Sequence, residues 1–188
     1  MSTIGGNLVN ASPIGDFSIL LLALNSNITL ENMGVKRTLP LNQFFKTYKQ
    51  IDMQQDEILE KISFEIPGES TIFHFEKVSQ RNYFDIASVN MASNIAFKND
   101  IIESAHFAVG GVAAIPMYLF RTSAYLRGKP MEEYIIDEAI EILNEEISPI
   151  SDARGSAGYK RLLARQLLIA QFLNIDKNLY NIKKLVAL

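Results

Sequence analysis

The 188-residue chain contains no cysteine. Disulfides, thiol catalysis and cysteine-ligated zinc or iron–sulfur clusters are therefore excluded within it. Histidine occurs only as His74 and His106, in different predicted strands. A metal site needs three or four converging ligands, so both are read as exposed or satisfied sheet residues. No basic block accompanies the net charge of −3, and Lys183-Lys184 is too small a pair for a nucleic-acid surface. The longest apolar run, 19–24, is far short of the ~20 residues of a membrane span. It follows Asp16 rather than a basic stretch, so it does not read as a signal peptide. The cytoplasm is the expected compartment, and the missing cysteine fits a reducing one. There is no Walker motif and no G-x-S-x-G elbow; Gly155-Ser156-Ala157-Gly158 instead suits a helix cap. Glu132-Glu133 and Glu145-Glu146 read as solvated helix faces.

Apolar residues make up 48% and charged residues 21%, a globular balance able to fill one core or two small lobes. Ser12-Pro13 has the form of an N-cap followed by a first helical residue, predicting a helix from Pro13 to about Asn25 with Asp16 at its fourth position. Segments 27–30 and 35–39 flank a turn with Asn32 and Gly34 and predict two short strands. Residues 41–48 read as a short helix, and 58–66 as a strand stopped by Pro67-Gly68. Beyond that boundary, alternation over 72–77, 89–97 and 101–109 predicts three strands, the last two a hairpin ended by Gly110-Gly111. Helical spacing returns over 132–146 and 157–173, and a short helical tail is expected from Asp176. The class is α+β: a first lobe over 1–68, an antiparallel sheet packed with helices over 69–175, and the tail 176–188.

The segment Thr3-Ile4-Gly5-Gly6-Asn7 offers the most chemistry. Two glycines permit a tight turn with N–H groups facing a ligand, and a helix start just downstream adds orphan donors and a positive dipole end. Such a set suits a pyrophosphate. Asp16 is an acceptor suited to ribose hydroxyls or an adenine amino group. Each feature also has a plain structural reading: a turn before a capped helix, a carboxylate complementing a dipole, Leu59 as core, Lys77 beside Glu76 as a surface pair.

The run TIGGNLVNASPIGD resembles the second FAD-binding motif of the flavin components of molybdenum hydroxylases, the family that includes xanthine and carbon monoxide dehydrogenases. RTLPLNQFFKTYKQIDMQQDEILEKISFEIP, FEKVSQRNYFDIASVN, AVGGVAAIP and ISDARGSAGYKRLLARQLL resemble further segments of the same components, in the same order. Together they extend over about residues 2–174.

The resemblance implies that the turn made by Thr3, Ile4, Gly5, Gly6 and Asn7 holds the FAD pyrophosphate. It implies that Asp16 contacts the adenosine side, that Leu59 packs near the adenine and that Lys77 contacts the flavin moiety. Residues 81–85 would lie near the isoalloxazine and influence nicotinamide access. It further implies a molybdenum cofactor and two-iron two-sulfur clusters on other domains or subunits, with electrons passing through FAD to NAD. The 151–163 segment is nearest the xanthine dehydrogenase type, which favours a purine substrate. Family members also have an N-terminal FAD lobe with its own glycine loop; by comparison it is absent here, and the expected consequence is weak binding by the chain alone. The alternative reading is a non-catalytic assembly subunit that docks a partner without flavin.

Overall fold

The computed structural model describes residues 3–81 and 86–180. Two short helices come first, α1 (Ile4–Val9) and α2 (Asp16–Ala23). They are followed by β1 (Asn27–Asn32), β2 (Val35–Pro40), a 3-10 turn at Leu41–Gln43, β3 (Phe45–Thr47), β4 (Gln50–Ile51) and β5 (Ile58–Ser63). The second part contains β6 (Thr71–Ser79), β7 (Ala87–Lys98), β8 (Ile101–Gly110), β9 (Met117–Tyr118), α3 (Phe120–Leu126), α4 (Glu133–Glu146) and α5 (Ala157–Leu173). The fold is α+β, as the sequence pattern predicts. Among the described residues no helix is long and apolar enough to cross a membrane.

The pairings are antiparallel: β2-β1-β5 in one sheet, β6-β7-β8-β9 in the other, and β3-β4 as a ribbon. The β1–β2 turn places Met33 and Gly34 at φ 46° and 89°, the two left-handed positions of a tight hairpin. Strand β1 alternates, burying Ile28 and Leu30 while its other face meets solvent.

Strand β7 behaves differently, because its residues are buried on both faces. On one face Val89, Met91 and Ile95 join Phe107 and Val109 of β8 in a core closed by α3, α4 and α5. Helix α4 meets this core with Ile135, Ile136, Ala139, Ile140 and Leu143, an i, i+4 stripe. On the other face Ala92 and Ala108 stand opposite each other and join the core of the first lobe, with Ile19, Leu22, Ile28 and Phe44. Two alanines leave room for α2 to press onto the sheet.

The loop ahead of α5 is tied from inside. Lys160 is only 2% exposed, yet it pairs with Asp152 at 2.7 Å and donates to the Ile150 carbonyl at 3.0 Å. The ammonium holds the Asp152 carboxyl below the ordinary carboxylate range. Ser88 of β7 donates to the Arg154 carbonyl at 3.0 Å, fastening the same loop to the sheet.

Several local expectations are corrected. The Gly5-Gly6 segment is not an open loop but the first turn of α1, with Thr3 as N-cap. The helix expected from Ser12-Pro13 begins only at Asp16, with Gly15 as N-cap, so Asp16 is the first helical residue rather than the fourth. The cause is tertiary: Ala11 is left-handed at φ 47°, and the Pro13 carbonyl accepts from Gly111 N–H instead of continuing a helix. Segment 41–48 gives a 3-10 turn and a strand, because the Phe44 carbonyl accepts from Asp52 N–H and draws Phe45 into pairing with Ile51. The second sheet has a fourth strand, β9, and α3 was not anticipated. Residues 176–180 form turns; the rest of the expected helical tail, 181–188, lies outside the described residues.

Candidate cofactor site

The predicted site residues form a strip of successive contacts: Gly5 of α1 faces Leu59 of β5, Asn7 bonds Ser18 of α2, and Asp16 of α2 pairs with Lys77 of β6. Thr3 caps α1, its Oγ1 accepting from Gly6 N–H at 3.0 Å. Its hydroxyl proton is thereby left to point elsewhere. The N–H groups of Ile4 and Gly5 open the helix, where intrahelical geometry provides no acceptor. Ile4 is half exposed, so this end of α1 faces solvent.

The two glycines differ in what they permit. A Cβ on Gly6 would sit 2.9 Å from the capping Thr3 hydroxyl, so glycine there preserves the cap. A Cβ on Gly5 would meet only Leu59 Cδ2, at 3.9 Å. Gly5 therefore leaves free space in front of Leu59, which β5 presents half-buried beside Leu30. Asn7 reaches the other way, its Oδ1 accepting from Ser18 Oγ at 3.5 Å across the start of α2.

Asp16 opens α2 and carries the densest contacts of the strip. Its Oδ2 accepts from Lys77 Nζ of β6 at 2.9 Å, and its Oδ1 accepts from Asn90 Nδ2 of β7 at 2.6 Å. Both charged side chains remain about one third exposed. A carboxylate offers about four lone-pair positions, so acceptor capacity remains for a ligand hydroxyl or amino group. Of the segment expected near the isoalloxazine, Arg81 is exposed and its carbonyl accepts from Ser79 Oγ at 2.8 Å; residues 82–85 lie outside the described residues.

The donor set suits a dinucleotide: N–H groups and a hydroxyl for an anion, an apolar side chain behind a glycine gap, a carboxylate and a cation. Sequence reasoning passed over Asn90, Gly110 and Gly111, which back the strip from the sheet. Gly111 has φ 84° and its N–H holds Pro13, while a Cβ on Gly110 would lie 2.1 Å from Asn90 Oδ1. The Gly110-Gly111 pair was the available signal, since two glycines ending a strand mark a close backbone approach. A separate cleft of about 470 Å³, lined by Asn25, Ser63, Pro67, Asn94 and His106 among others, contains none of the predicted residues. Burial holds the His106 imidazole below its ordinary range there, and its Nδ1 lies 2.7 Å from the Tyr118 hydroxyl.

Residues 1–67 match the family described as the FAD binding domain in molybdopterin dehydrogenase. Residues 74–175 match the CO dehydrogenase flavoprotein C-terminal domain. The chain therefore belongs to the family of FAD-binding components of molybdenum hydroxylases. It is 30% identical over 175 residues to the glyceraldehyde dehydrogenase medium chain of Sulfolobus acidocaldarius, covering 92% of this chain and 60% of that protein. To xanthine dehydrogenase of Dictyostelium discoideum it is 29% identical, covering 96% of this chain and 15% of that much longer protein. The structure resembles a chain of reconstituted CO dehydrogenase from Oligotropha carboxidovorans, with a TM-score of 0.84 at 24% identity over 89% of this chain and 58% of that one. A likeness of the same kind extends to quinoline 2-oxidoreductase from Pseudomonas putida 86, with a TM-score of 0.80 at 24% identity over 92% and 60% of the two chains. The chain thus spans about 60% of the medium chain it matches and 15% of the xanthine dehydrogenase.

Proposed function

We propose that the strip from Thr3 to Lys77 is the chain's part of the FAD site in a molybdenum hydroxylase. The observation that carries this reading is a chain of contacts linking four stretches of sequence: Thr3, Ile4, Gly5, Gly6 and Asn7 in and beside α1, Leu59 facing Gly5, and Asp16 of the neighbouring α2 paired with Lys77. The N–H groups of Ile4 and Gly5, with the Thr3 hydroxyl, would donate to the pyrophosphate. Leu59 would pack on the adenine through the gap at Gly5. Asp16 would accept from the adenosine side, and Lys77 would contact the flavin moiety. Bound FAD supplies electron transfer between iron–sulfur clusters and a soluble acceptor, for which NAD is the proposed partner. The chain's residues bind and orient the cofactor; none needs to act as general acid or base.

The molybdenum cofactor and the clusters would belong to partner domains or subunits, since no cysteine is present to ligate a cluster here. The FAD-family match over residues 1–67 favours this reading over docking without flavin. The test is a titration of the purified chain with FAD, followed by quenching of flavin fluorescence, beside Gly5→Val. A Cβ at that position meets nothing nearer than Leu59 Cδ2, at 3.9 Å. The expected outcome is saturable quenching, with affinity lowered on the order of tenfold or more in the variant at an unchanged thermal midpoint. In the assembled complex, NAD reduction should fall in proportion to the flavin lost. Equal affinity for both proteins would remove the strip from the site.

A further inference from the structure

Asn90 lies in the middle of β7 and is fully buried. Its Nδ2 donates to Asp16 Oδ1 at 2.6 Å and reaches the Ile14 carbonyl at 3.3 Å. Its Oδ1 has no hydrogen-bond partner among the described residues. A buried amide with one unanswered end is costly to keep, so the answered end needs a reason. Turning the amide over would set two oxygens against each other at the Asp16 contact, so the orientation is fixed by Asp16. The space for it is made by Gly110, directly opposite Asn90 in the β7–β8 pairing, where any Cβ would strike Asn90 Oδ1 at 2.1 Å.

Two donors thus approach Asp16 from neighbouring strands, Lys77 on one oxygen and Asn90 on the other. Lys77 and Asn90 are themselves paired across β6 and β7. Lys77 is partly solvated, and a solvated ammonium on a long stem holds a geometry poorly. Asn90 is desolvated, short and packed, so it determines which way the carboxylate presents its remaining lone pairs.

We propose that Asn90 is the positioning residue of the cofactor site, acting through Asp16 from beneath the sheet surface without touching the ligand. This rests on the reading of the strip as an FAD site and adds to it a residue from the second sheet. It also explains why Gly110 has no side chain.

The experiment is a double-mutant cycle on FAD affinity, using Asn90→Ala, Asp16→Ala and the pair combined. Asn90→Leu serves as a variant of nearly the same shape that keeps the packing and removes the donor. Asn90→Ala is expected to raise Kd on the order of tenfold, the loss of one hydrogen bond to a charged group. Asn90→Leu should bind no better than Asn90→Ala. The combined variant should bind no worse than Asp16→Ala alone, because Asn90 has nothing to position once Asp16 is gone. Losses that multiply in the combined variant, or wild-type affinity in Asn90→Leu, would overturn the proposal. If Gly5→Val weakens binding but Asp16→Ala does not, the proposal falls and the flavin reading stands. If the wild-type chain shows no affinity for FAD alone or in its complex, the flavin reading fails instead. Crystal structures of the unliganded variants then decide: an Asp16 carboxylate displaced in Asn90→Leu supports positioning, and one unmoved against Lys77 rejects it.

Discussion

Gly5 and Gly110 lack side chains for different reasons. At Gly5 a side chain would meet little of the protein, so the gap serves whatever lies in front of Leu59. At Gly110 a side chain would meet Asn90 Oδ1 at 2.1 Å and the Pro13 carbonyl at 2.8 Å, so the gap serves the fold. Gly110→Ala is accordingly expected to destabilise by about 2–3 kcal/mol, as overpacking against backbone does. Urea unfolding would check this, and a loss below about 0.5 kcal/mol would show that Pro13 yields easily. The sequence marked Thr3, Asn7 and Asp16 as polar groups near a helix start, but it read 3–7 as a turn and began the helix at Pro13, because the contacts that decide both are tertiary. Asn90 was not legible, because its partner lies 74 residues away and asparagine in a strand carries no local signal of function. The pairing of Lys77 with Asp16 was not legible either, since 61 residues separate them and the resemblance assigned them to different parts of the cofactor.

Among the elements, the small first sheet adds a network of ions to its buried core. Arg37 of β2 donates two hydrogen bonds to Glu57, at 2.6 and 2.8 Å, and pairs with Asp52 at 2.9 Å. Lys46 of β3 reaches the other Asp52 oxygen, also at 2.9 Å. The Glu57 carboxyl is held low chiefly by Arg37, and that of Asp52 by Lys46 and then Arg37. Carboxyls depressed in the folded state stabilise it above their ordinary range, and that contribution is lost as pH falls through it. Thermal midpoints should therefore drop between about pH 5 and pH 3. Arg37→Met should be less stable at pH 7, with its deficit shrinking across that window. A deficit that is the same at both ends would assign Arg37 a packing role. The strands of this sheet were readable because alternation is local. Helix α3 was not: its FRTSAYL sequence has weak helix propensity, and its first turn is capped from α4. There the Glu146 carboxylate accepts from the N–H groups of Arg121 and Thr122, at 2.9 and 3.0 Å.

At the level of the molecule, one sheet serves two cores. Composition and the Pro67-Gly68 stop point to two lobes, and burial in β7 shows how they are joined. Helix α2 lies on the Ala92 and Ala108 face while α5 covers the opposite face. Alternation along 89–97 revealed one apolar face; the alanines of the other are too small to register as a pattern. Opening between the lobes would therefore also disturb the strand that carries Asn90. The loop held by Lys160 adds a measurable consequence. An ammonium inside the protein is hidden from acylating reagents, whereas most lysines meet them at once. Lys160 should label last, at a rate set by how often residues 150–156 swing away from β7. Mass spectrometry of timed labelling would turn that one amine into a clock for breathing at the seam. If FAD shares that seam, its addition should slow the clock.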